Sequence, residues 1–361
     1  MNFLRQPKWW MRVIAGVIWI PFAGEFFLRF LAPVPMLPRY VEAGPYGVRA
    51  NMSNQTYRHQ TPEYTVDLRT NSQGMRADQE FSIASPADTK RIVVLGDSFS
   101  MGYGVNIEDS SLQLLQDQLE AKLDCEVEIL NFSVSGFGPS EELVVLEAAA
   151  MPYKPDLVIQ YYTSNDPVDD ARSNLFALDG DHLRRTNETY LPAVEIREFL
   201  FSFGLYRWMA GESHLYNLLR DMAGSKAKQI LATFRSRGSE EASESSDPIE
   251  IDGLTAQETL TLAILSRIEK VVRNGGAEFL ILSIPVRQSR SKFKETFPDL
   301  SGDLPVVSPI PLFNQEDGEM LYWEKSHGHW TPLGCRLVAQ TLADAILDRM
   351  LLGPACPESG E

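Results

Sequence analysis

The chain has 361 residues, of which 44% are apolar and 23% charged, enough for one large globular domain or two smaller ones. Its net charge of -16 argues against a nucleic-acid-binding surface, which would need a basic stripe. The three cysteines are odd in number and far apart in sequence, which disfavours a disulfide framework and a zinc ribbon. The cysteine content therefore does not identify the cellular compartment.

The N-terminal stretch 1–32 is dominated by apolar residues. Basic residues precede an uncharged core at 13–24, which is typical of a cytoplasmic flank. Glu25 and Arg29 make this core short for a spanning helix, so a cleaved signal peptide, a signal anchor and an interfacial amphipathic helix are all compatible with it. We favour a signal anchor, because apolar residues continue beyond Glu25. The main domain would then lie outside the cytoplasm.

Residues 33–89 are predicted to form a linker and a small β-rich lead-in. Three prolines within 33–39 favour an extended conformation. Residues 64–68 alternate between apolar and polar side chains, as a half-buried strand does. The stretch N-S-Q-G-M-R at 71–76 predicts a turn in which Gly74 adopts a positive φ.

Strands and helices then alternate along the chain. Apolar runs predict strands at 92–95, 127–132, 156–162 and 277–284, and helical spacing predicts helices at 110–123, 140–151, 254–275 and 331–352. This alternation implies right-handed crossovers and a parallel sheet covered on both faces. We therefore predict an α/β domain over 90–352, a flavodoxin-like three-layer α/β/α sandwich, followed by a flexible tail at 353–361.

An insertion at 167–252 interrupts the alternation. The apolar spacing of 196–222 predicts a helix that packs against the sheet edge or forms a lid. Residues 237–248 are polar, acidic and free of large apolar side chains, which predicts a disordered loop. The stretch 291–318 is predicted to be rich in loops.

Residues with catalytic chemistry gather where the predicted strands end, the edge at which parallel α/β sheets bind ligands. Ser98 follows the first strand, Gly136 the second and Asn165 the third, and His329 precedes the closing helix. Acyl transfer needs a nucleophile, a base and donors for a developing oxyanion. Ser98 can serve as the nucleophile and His329 as the base. The N–H groups of Ser98 and Gly136 and the amide of Asn165 can form the oxyanion hole.

Four sequence blocks carry a family resemblance. They are G-D-S-F-S at 96–100, N-F-S-V-S-G-F-G at 131–138, S-N-D at 164–166 and H-G-H-W-T-P-L-G at 327–334. With these blocks in this order, the chain resembles the SGNH/GDSL hydrolase superfamily, which is named for its Ser, Gly, Asn and His blocks. The resemblance covers about residues 90–349, and the insertion at 167–252 has no counterpart in the blocks.

The resemblance implies a serine esterase that hydrolyses an O-acyl ester through an acyl-enzyme on Ser98, without a cofactor. The apolar N-terminal segment and the stretch 71–76 resemble membrane-anchored bacterial members. This implies an inner-membrane anchor, a periplasmic catalytic domain and an ester of envelope carbohydrate, with small-molecule and lipid esters as alternatives. An O-acyltransferase with the same site and a catalytically weakened SGNH-like binding protein are the alternative functions.

One departure from the family pattern concerns the acid that orients the catalytic histidine. Members usually carry an Asp two or three residues before that histidine, where this chain has His327 and Ser326. Three alternatives follow: a Ser98–His329 dyad with a backbone carbonyl or Ser326 orienting the imidazole, Glu324 folding back as the acid, or weakened activity. We predict no metal site at the His327–His329 pair, because it lacks a third converging ligand.

Overall fold

The structure, a computed structural model of the chain, describes residues 7–86, 88–192, 194–223, 226, 254–298, 303–326 and 328–353. The predicted disordered loop at 237–248, His327 and the tail after Gly353 lie outside the described residues. The described residues form two compact units. We call those within 1–38, 58–65 and 199–246 the helical unit, and those within 39–57, 66–198 and 247–361 the sheet unit.

The helices are, in chain order, α1 (Pro7–Phe30), α2 (Ser111–Leu123), α3 (Pro139–Val145), α4 (Asp166–Ser173), α5 (Val194–Phe201), α6 (Gly204–Glu212), α7 (residues 214–223), α8 (Ala256–Asn274), α9 (Ile310–Phe313) and α10 (Pro332–Asp348). Short 3₁₀ turns cover Ile107–Asp109, Met151–Tyr153 and Gly318–Met320.

The strands are β1 (Val41–Ala43), β2 (Arg49–Asn51), β3 (Thr56–Gln60), β4 (Thr65–Arg69), β5 (Thr89–Leu95), β6 (Glu126–Asn131), β7 (Leu157–Tyr162), β8 (Phe176–Asp179), β9 (His182–Arg185), β10 (Glu278–Ser283), β11 (Val286–Ser289), β12 (Lys292–Lys294) and β13 (Val306–Val307). Antiparallel pairing joins β1 to β2, β8 to β9 and β11 to β12, and β3 with β4 forms another two-stranded sheet.

A five-stranded parallel sheet lies at the centre of the sheet unit, in the order β13-β10-β7-β5-β6. Strand β5 lies between β6 and β7, with Val94 opposite Asn131 on one side and Ile159 on the other. The predicted parallel sheet is confirmed. Its arrangement makes the carboxyl ends of β5, β6 and β7 immediate neighbours.

Helices cover both faces of the sheet because the buried side chains of each strand alternate between the faces. Ile92 and Val94 of β5 pack in the core formed with α2 and α10. Val93 and Leu95 pack in the core formed with α3 and α8. The predicted three-layer α/β/α sandwich is therefore confirmed.

The stretch 196–222 of the insertion is helical as predicted, and the chain divides it into α5, α6 and α7. Phe203 and Ser213 have extended backbone angles at these breaks. The Ser213 hydroxyl accepts a hydrogen bond from Tyr216 N at 3.1 Å and so caps α7. A serine that bonds to the backbone in this way favours a new helix start over helix continuation.

The stretch 291–318, predicted as loop, contributes the edge strand of the sheet. Strand β13 has only two residues, and Val306 lies opposite Ile281 of β10. Helix α9 and strand β12 also fall in this stretch. A two-residue strand carries no readable periodicity, so the open edge of β10 rather than the local sequence specifies it.

The turn at 71–76 forms as predicted. Gly74 has φ +77°, and a Cβ at this position would lie 2.6 Å from the carbonyl oxygen of Asn51. Only glycine accommodates both the positive φ and this close approach.

The helical unit contains α1, whose segment Trp9–Phe30 is long and apolar enough to cross a membrane, with a mean hydropathy of 1.6. Within this unit the Glu25 carboxylate accepts hydrogen bonds from Ser213 Oγ (2.9 Å), His214 N (3.1 Å) and Leu215 N (2.9 Å). A carboxylate on α1 thus satisfies the free N–H groups at the start of α7.

Replacing Leu280, a fully buried residue of β10, with alanine is expected to lower the free energy of unfolding by about 2–5 kcal/mol, through lost burial and a residual cavity. Urea unfolding of the full-length protein in detergent measures this. The matched substitution Ile83→Ala removes an exposed side chain and is expected to cost under about 0.5 kcal/mol. Equal losses in both variants would contradict the burial of Leu280 in the core.

Candidate active site

The structure brings Ser98 and His329 together at the carboxyl edge of the sheet. Ser98 lies directly after the turn that ends β5, and His329 lies just before α10. The distance between Ser98 Oγ and His329 Nε2 is 2.8 Å. This is within the range needed for a base to remove the serine proton.

The segment that carries His329 is tied to the segment that follows Ser98. Trp323 N donates to the carbonyl of His329 at 2.8 Å, and Gly328 N donates to the carbonyl of Trp323 at 3.0 Å. The Trp323 indole N–H in turn donates to the carbonyl of Gly104 at 3.0 Å. These bonds fix the backbone from which the imidazole projects.

Aromatic rings hold the imidazole from the sides. The ring centroid of His329 lies 5.1 Å from that of Phe99 and 5.5 Å from that of Tyr103. Phe99 is itself held by Trp330, at 4.8 Å between centroids. Since these rings are packed around it, the imidazole has little freedom to rotate away from Ser98.

The two candidates for orienting His329 occupy different environments. The Glu324 carboxylate forms a salt bridge and hydrogen bond with Arg287. Ser326 is fully buried. The carboxylate of Glu324 is thus paired with the guanidinium group of Arg287.

Gly136 lies in the loop after β6, with φ +81°. Hydrogen bonds join this loop to the nucleophile block, from Val134 N to the carbonyl of Gly96 (3.2 Å) and from Asn131 Nδ2 to the carbonyl of Ser100 (3.1 Å). A Cβ at 136 would come within 3.5 Å of Arg49 Nη1. The positive φ explains the glycine, because a Cβ at this distance from Arg49 would make only an ordinary van der Waals contact.

Asn165 lies at the exit of β7, as the residue before α4. Its side chain is exposed, and Nδ2 donates to Asp169 Oδ2 at 2.6 Å. An amide nitrogen carries two hydrogens, so one N–H is left for a ligand at the sheet edge.

Hydrogen bonds to the carbonyl oxygens of the same peptide planes set the directions of the Ser98 and Gly136 N–H groups. Met101 N (3.0 Å) and Ser100 Oγ (3.2 Å) donate to the carbonyl of Asp97, which shares a plane with Ser98 N–H. Because C=O and N–H point in opposite directions in a trans peptide, fixing the oxygen fixes the hydrogen.

The second peptide plane is held by a residue that the sequence analysis missed, Arg49 of β2. Its guanidinium donates to the carbonyl of Ser135 at 3.3 Å and to that of Gly136 at 2.6 Å. The same group is paired with the buried Glu141 carboxylate at 2.8 Å and lies over the ring of Phe137. Arg49 therefore fixes the direction of the Gly136 N–H.

Two further lead-in residues act on the site loops in the same way. Asn51, two residues after Arg49 on the same face of β2, donates to the carbonyl of Ser133 at 3.0 Å. The buried Arg76 donates to the carbonyls of Met101, Gly102 and Val105 after the nucleophile block. In the sequence, these three residues are only arginine and asparagine side chains in a polar segment. Nothing in the local sequence indicates their distant partners.

Several carboxyl groups are buried beneath the strand exits. Burial raises the pKa of Asp97 to about 6, of Asp170 to about 6 and of Glu141 to about 7, although the Arg49 guanidinium opposes the rise at Glu141. Burial also raises the pKa values of Glu142 and Asp166 well above their usual range. Each raised pKa shifts the protonation equilibrium towards the neutral acid, compared with an exposed carboxyl group.

A cleft of about 430 Å³ opens beside the Ser98–His329 pair, within the sheet unit. Phe99 and Tyr322 supply aromatic surfaces, and Asn165, Arg287 and Glu324 supply polar groups. Nη1 of Arg287 is buried and has no hydrogen-bond partner among the described residues. This volume is typical of small-ligand sites.

Within the described part of the chain, no cluster of three or more His, Cys, Asp or Glu side chains could hold a metal ion.

No family model matches the chain, and no curated protein matches it either. Solved structures with a similar arrangement include a lipase/acylhydrolase from Enterococcus faecalis, at 17% identity over 72% of this chain and 96% of that chain, with a TM-score of 0.37. The acetyl xylan esterase AlAXEase matches at 11% identity over 71% and 99% of the two chains, with a TM-score of 0.37.

A lipolytic protein of the G-D-S-L family from Desulfitobacterium hafniense DCB-2 matches at 10% identity over 71% of this chain and 99% of that chain, with a TM-score of 0.36. The chemistry of the site in this chain follows from its own geometry.

The raised pKa of Asp97 predicts a pH-dependent stability. Folded Asp97 binds its proton more tightly than the unfolded chain does, so this stabilisation is complete below about pH 3.8 and is lost as the pH rises through about 6. The shift corresponds to about 3 kcal/mol. Between about pH 4 and pH 8, the wild type is expected to lose about 3 kcal/mol more of its free energy of unfolding than Asp97→Asn does.

Urea unfolding of the full-length protein across this pH range measures the difference. Asp78→Asn, which changes an exposed carboxylate paired with Arg69, serves as the control and is expected to keep the wild-type pH profile. A wild-type profile in Asp97→Asn would contradict the assignment.

Proposed function

We propose that this chain is a serine ester hydrolase of SGNH type, with Ser98 as the nucleophile and His329 as the general base. The observation that carries the proposal is the 2.8 Å contact between Ser98 Oγ and His329 Nε2 at the carboxyl edge of the parallel sheet. The loop with Gly136 and the residue Asn165 follow the two strands that flank the strand of Ser98. This combination supplies a nucleophile, a base and oxyanion donors.

In the acylation step, Ser98 Oγ attacks the carbonyl carbon of the ester while His329 Nε2 accepts the serine proton. The carbonyl oxygen becomes an oxyanion, held by the N–H groups of Ser98 and Gly136 and by the Asn165 amide. The C–O bond to the alcohol then breaks, and His329 donates its proton to the departing alkoxide. The acyl group remains on Ser98.

In the second step, His329 removes a proton from water, which attacks the acyl-enzyme carbonyl. The same donors hold the second oxyanion. Collapse of this intermediate returns the proton to Ser98 Oγ and releases the carboxylic acid. An acceptor hydroxyl in place of water would give acyl transfer with the same residues.

Among the three alternatives for the missing acid, we propose the dyad. Glu324 is engaged by Arg287, and the aromatic rings of Phe99 and Tyr103 pack beside the imidazole. Packing of this kind contributes to the orientation that a triad carboxylate usually gives, although it does not supply the charge.

We propose an O-acyl ester of envelope carbohydrate as the substrate. The cleft of about 430 Å³ combines the aromatic surfaces of Phe99 and Tyr322 with the polar groups of Asn165, Arg287 and Glu324. A sugar presents both apolar C–H faces and hydroxyl groups to such a surface. A long acyl chain would instead offer no hydrogen-bonding partner to these polar groups, which is unfavourable.

We further propose that α1 acts as a signal anchor in the bacterial inner membrane and that the sheet unit lies in the periplasm. The length and apolarity of Trp9–Phe30 support a spanning helix. The basic residues that precede this helix in the sequence support a cytoplasmic N-terminus.

The dyad predicts a specific order of activities among variants. With p-nitrophenyl acetate as substrate, Ser98→Ala and His329→Ala are expected to lose roughly 10³-fold or more in kcat, because nucleophile and base act as a unit. Glu324→Gln is expected to stay within about threefold of the wild type, because its carboxylate does not serve the base. A fluorophosphonate is expected to label Ser98.

Two results would contradict this assignment. Equal turnover by the wild type and Ser98→Ala, with no labelling of Ser98, would refute the serine hydrolase. A large loss of kcat in Glu324→Gln would show that Glu324 supports His329.

The contacts of Arg49 predict that this residue positions the oxyanion hole. In the double variant Arg49→Met/Glu141→Gln both charges are removed together, so no unpaired charge stays buried. We expect kcat to fall roughly 10- to 100-fold with little change in KM, because the Gly136 N–H loses its fixed direction.

The control is Arg69→Met/Asp78→Asn, which removes an exposed ion pair of the same lead-in and is expected to keep wild-type kcat. Thermal unfolding confirms that both variants are folded. Wild-type kcat in the folded Arg49→Met/Glu141→Gln variant would show that Arg49 has a structural role only.

A further inference from the structure

The helical unit exposes large apolar side chains that its own fold does not bury. Between residues 199 and 223, these at least half-exposed side chains are Phe199, Phe203, Leu205, Trp208, Leu219 and Met222. Soluble surfaces rarely concentrate so many large apolar groups in a short segment without a partner.

The exposed residues follow helical spacing. Leu205 and Trp208 are three residues apart on α6, and Leu219 and Met222 have the same spacing on α7. Each pair therefore lies on one side of its helix. The apolar residues form stripes and are not scattered.

The other sides of these helices are already packed. Ala210 is buried, and the rings of Phe201 and Tyr206 meet with centroids 5.2 Å apart. Tyr206 also meets Tyr216 of α7 at 5.8 Å. The helical unit thus has an internal apolar contact between α6 and α7, and the exposed stripes are additional to it.

The connection to α1 indicates what covers the stripes. The start of α7 is bound by Glu25, a residue within the apolar segment Trp9–Phe30. Gly24 also approaches α7, because a Cβ there would lie 3.6 Å from Leu215. In the same part of α1, Phe26, Phe27 and Phe30 are exposed. Two exposed apolar surfaces therefore occur where α1 and α7 meet.

Charge in this segment also fits a lipid surface. Residues 199–223 contain two arginines and two acidic residues, so the segment is neutral in a chain whose net charge is -16. A neutral segment avoids the repulsion that the rest of the chain would experience at an anionic membrane.

We propose that α6 and α7 lie in the interfacial region of the lipid bilayer, with their exposed stripes in contact with acyl chains on the side where α1 emerges. This proposal rests on the proposed anchoring by α1. Amphipathic helices bind membranes in this way, by burying one apolar face at the boundary between head groups and acyl chains. Trp208 would be placed as tryptophan is in the aromatic belts of membrane proteins.

Spin labelling of the full-length protein tests the proposal. Cys125 and Cys356 are replaced by serine, while Cys335, which is buried, is kept. Single nitroxide labels are then placed by Leu205→Cys, Trp208→Cys, Trp19→Cys on α1 and Lys122→Cys on α2. Proteins are reconstituted in vesicles of phosphatidylcholine and phosphatidylglycerol, and collision rates with oxygen and with a water-soluble nickel chelate are measured.

We expect labels at 205 and 208 to collide several-fold less with nickel and more with oxygen than the label at 122. Nickel collisions at 205 and 208 equal to those at 122 would overturn the proposal in favour of a water-exposed surface. Low collision rates with both reagents would overturn it in favour of a protein partner or a second copy of this chain. The label at 19 reports separately on the anchor, because a water-like signal there refutes the anchor whatever labels 205 and 208 show.

Discussion

The parallel pairing of β5 with β6 on one side and with β7 on the other is the constraint on which the site depends. Parallel strands end at the same edge, so residues from distant parts of the sequence emerge side by side. The strands are buried on both faces, and a shift of one residue would turn Val93 and Val94 towards the wrong helices. The geometry around Ser98 is therefore a consequence of how the core packs.

This constraint explains which parts of the molecule could be predicted from the sequence. Ser98, Gly136 and Asn165 follow apolar runs that identify their strands, so local sequence was sufficient to place them at the sheet edge. Arg49 could not be recognised, because its partners lie 86 to 92 residues away along the chain. The break before α7 was missed for the same reason, since Glu25 on a distant helix satisfies the N–H groups there.

The charged groups around Ser98 and His329 are arranged differently from those around a Ser-His-Asp triad. Glu324 is held by Arg287, while other carboxyl groups lie below the strand exits, where burial favours their neutral forms. The guanidinium groups of Arg39 and Arg49 lie beside Gly136, each within 3.6 Å of the position a Cβ would take. These guanidinium groups near the Gly136 N–H favour a developing negative charge.

Side chains of the lead-in hydrogen-bond to the loops around Ser98 and Gly136. The smallest part of this protein that keeps the complete site therefore includes the lead-in. A chain that started at Thr89 would retain all four sequence blocks, but Glu141 would keep its buried carboxylate without the Arg49 partner. Such a fragment would contain every residue of the proposed chemistry and lack the side chains that aim it. In an exchange of segments between related proteins, strand β2 and the loop at 133–138 would have to be transferred together.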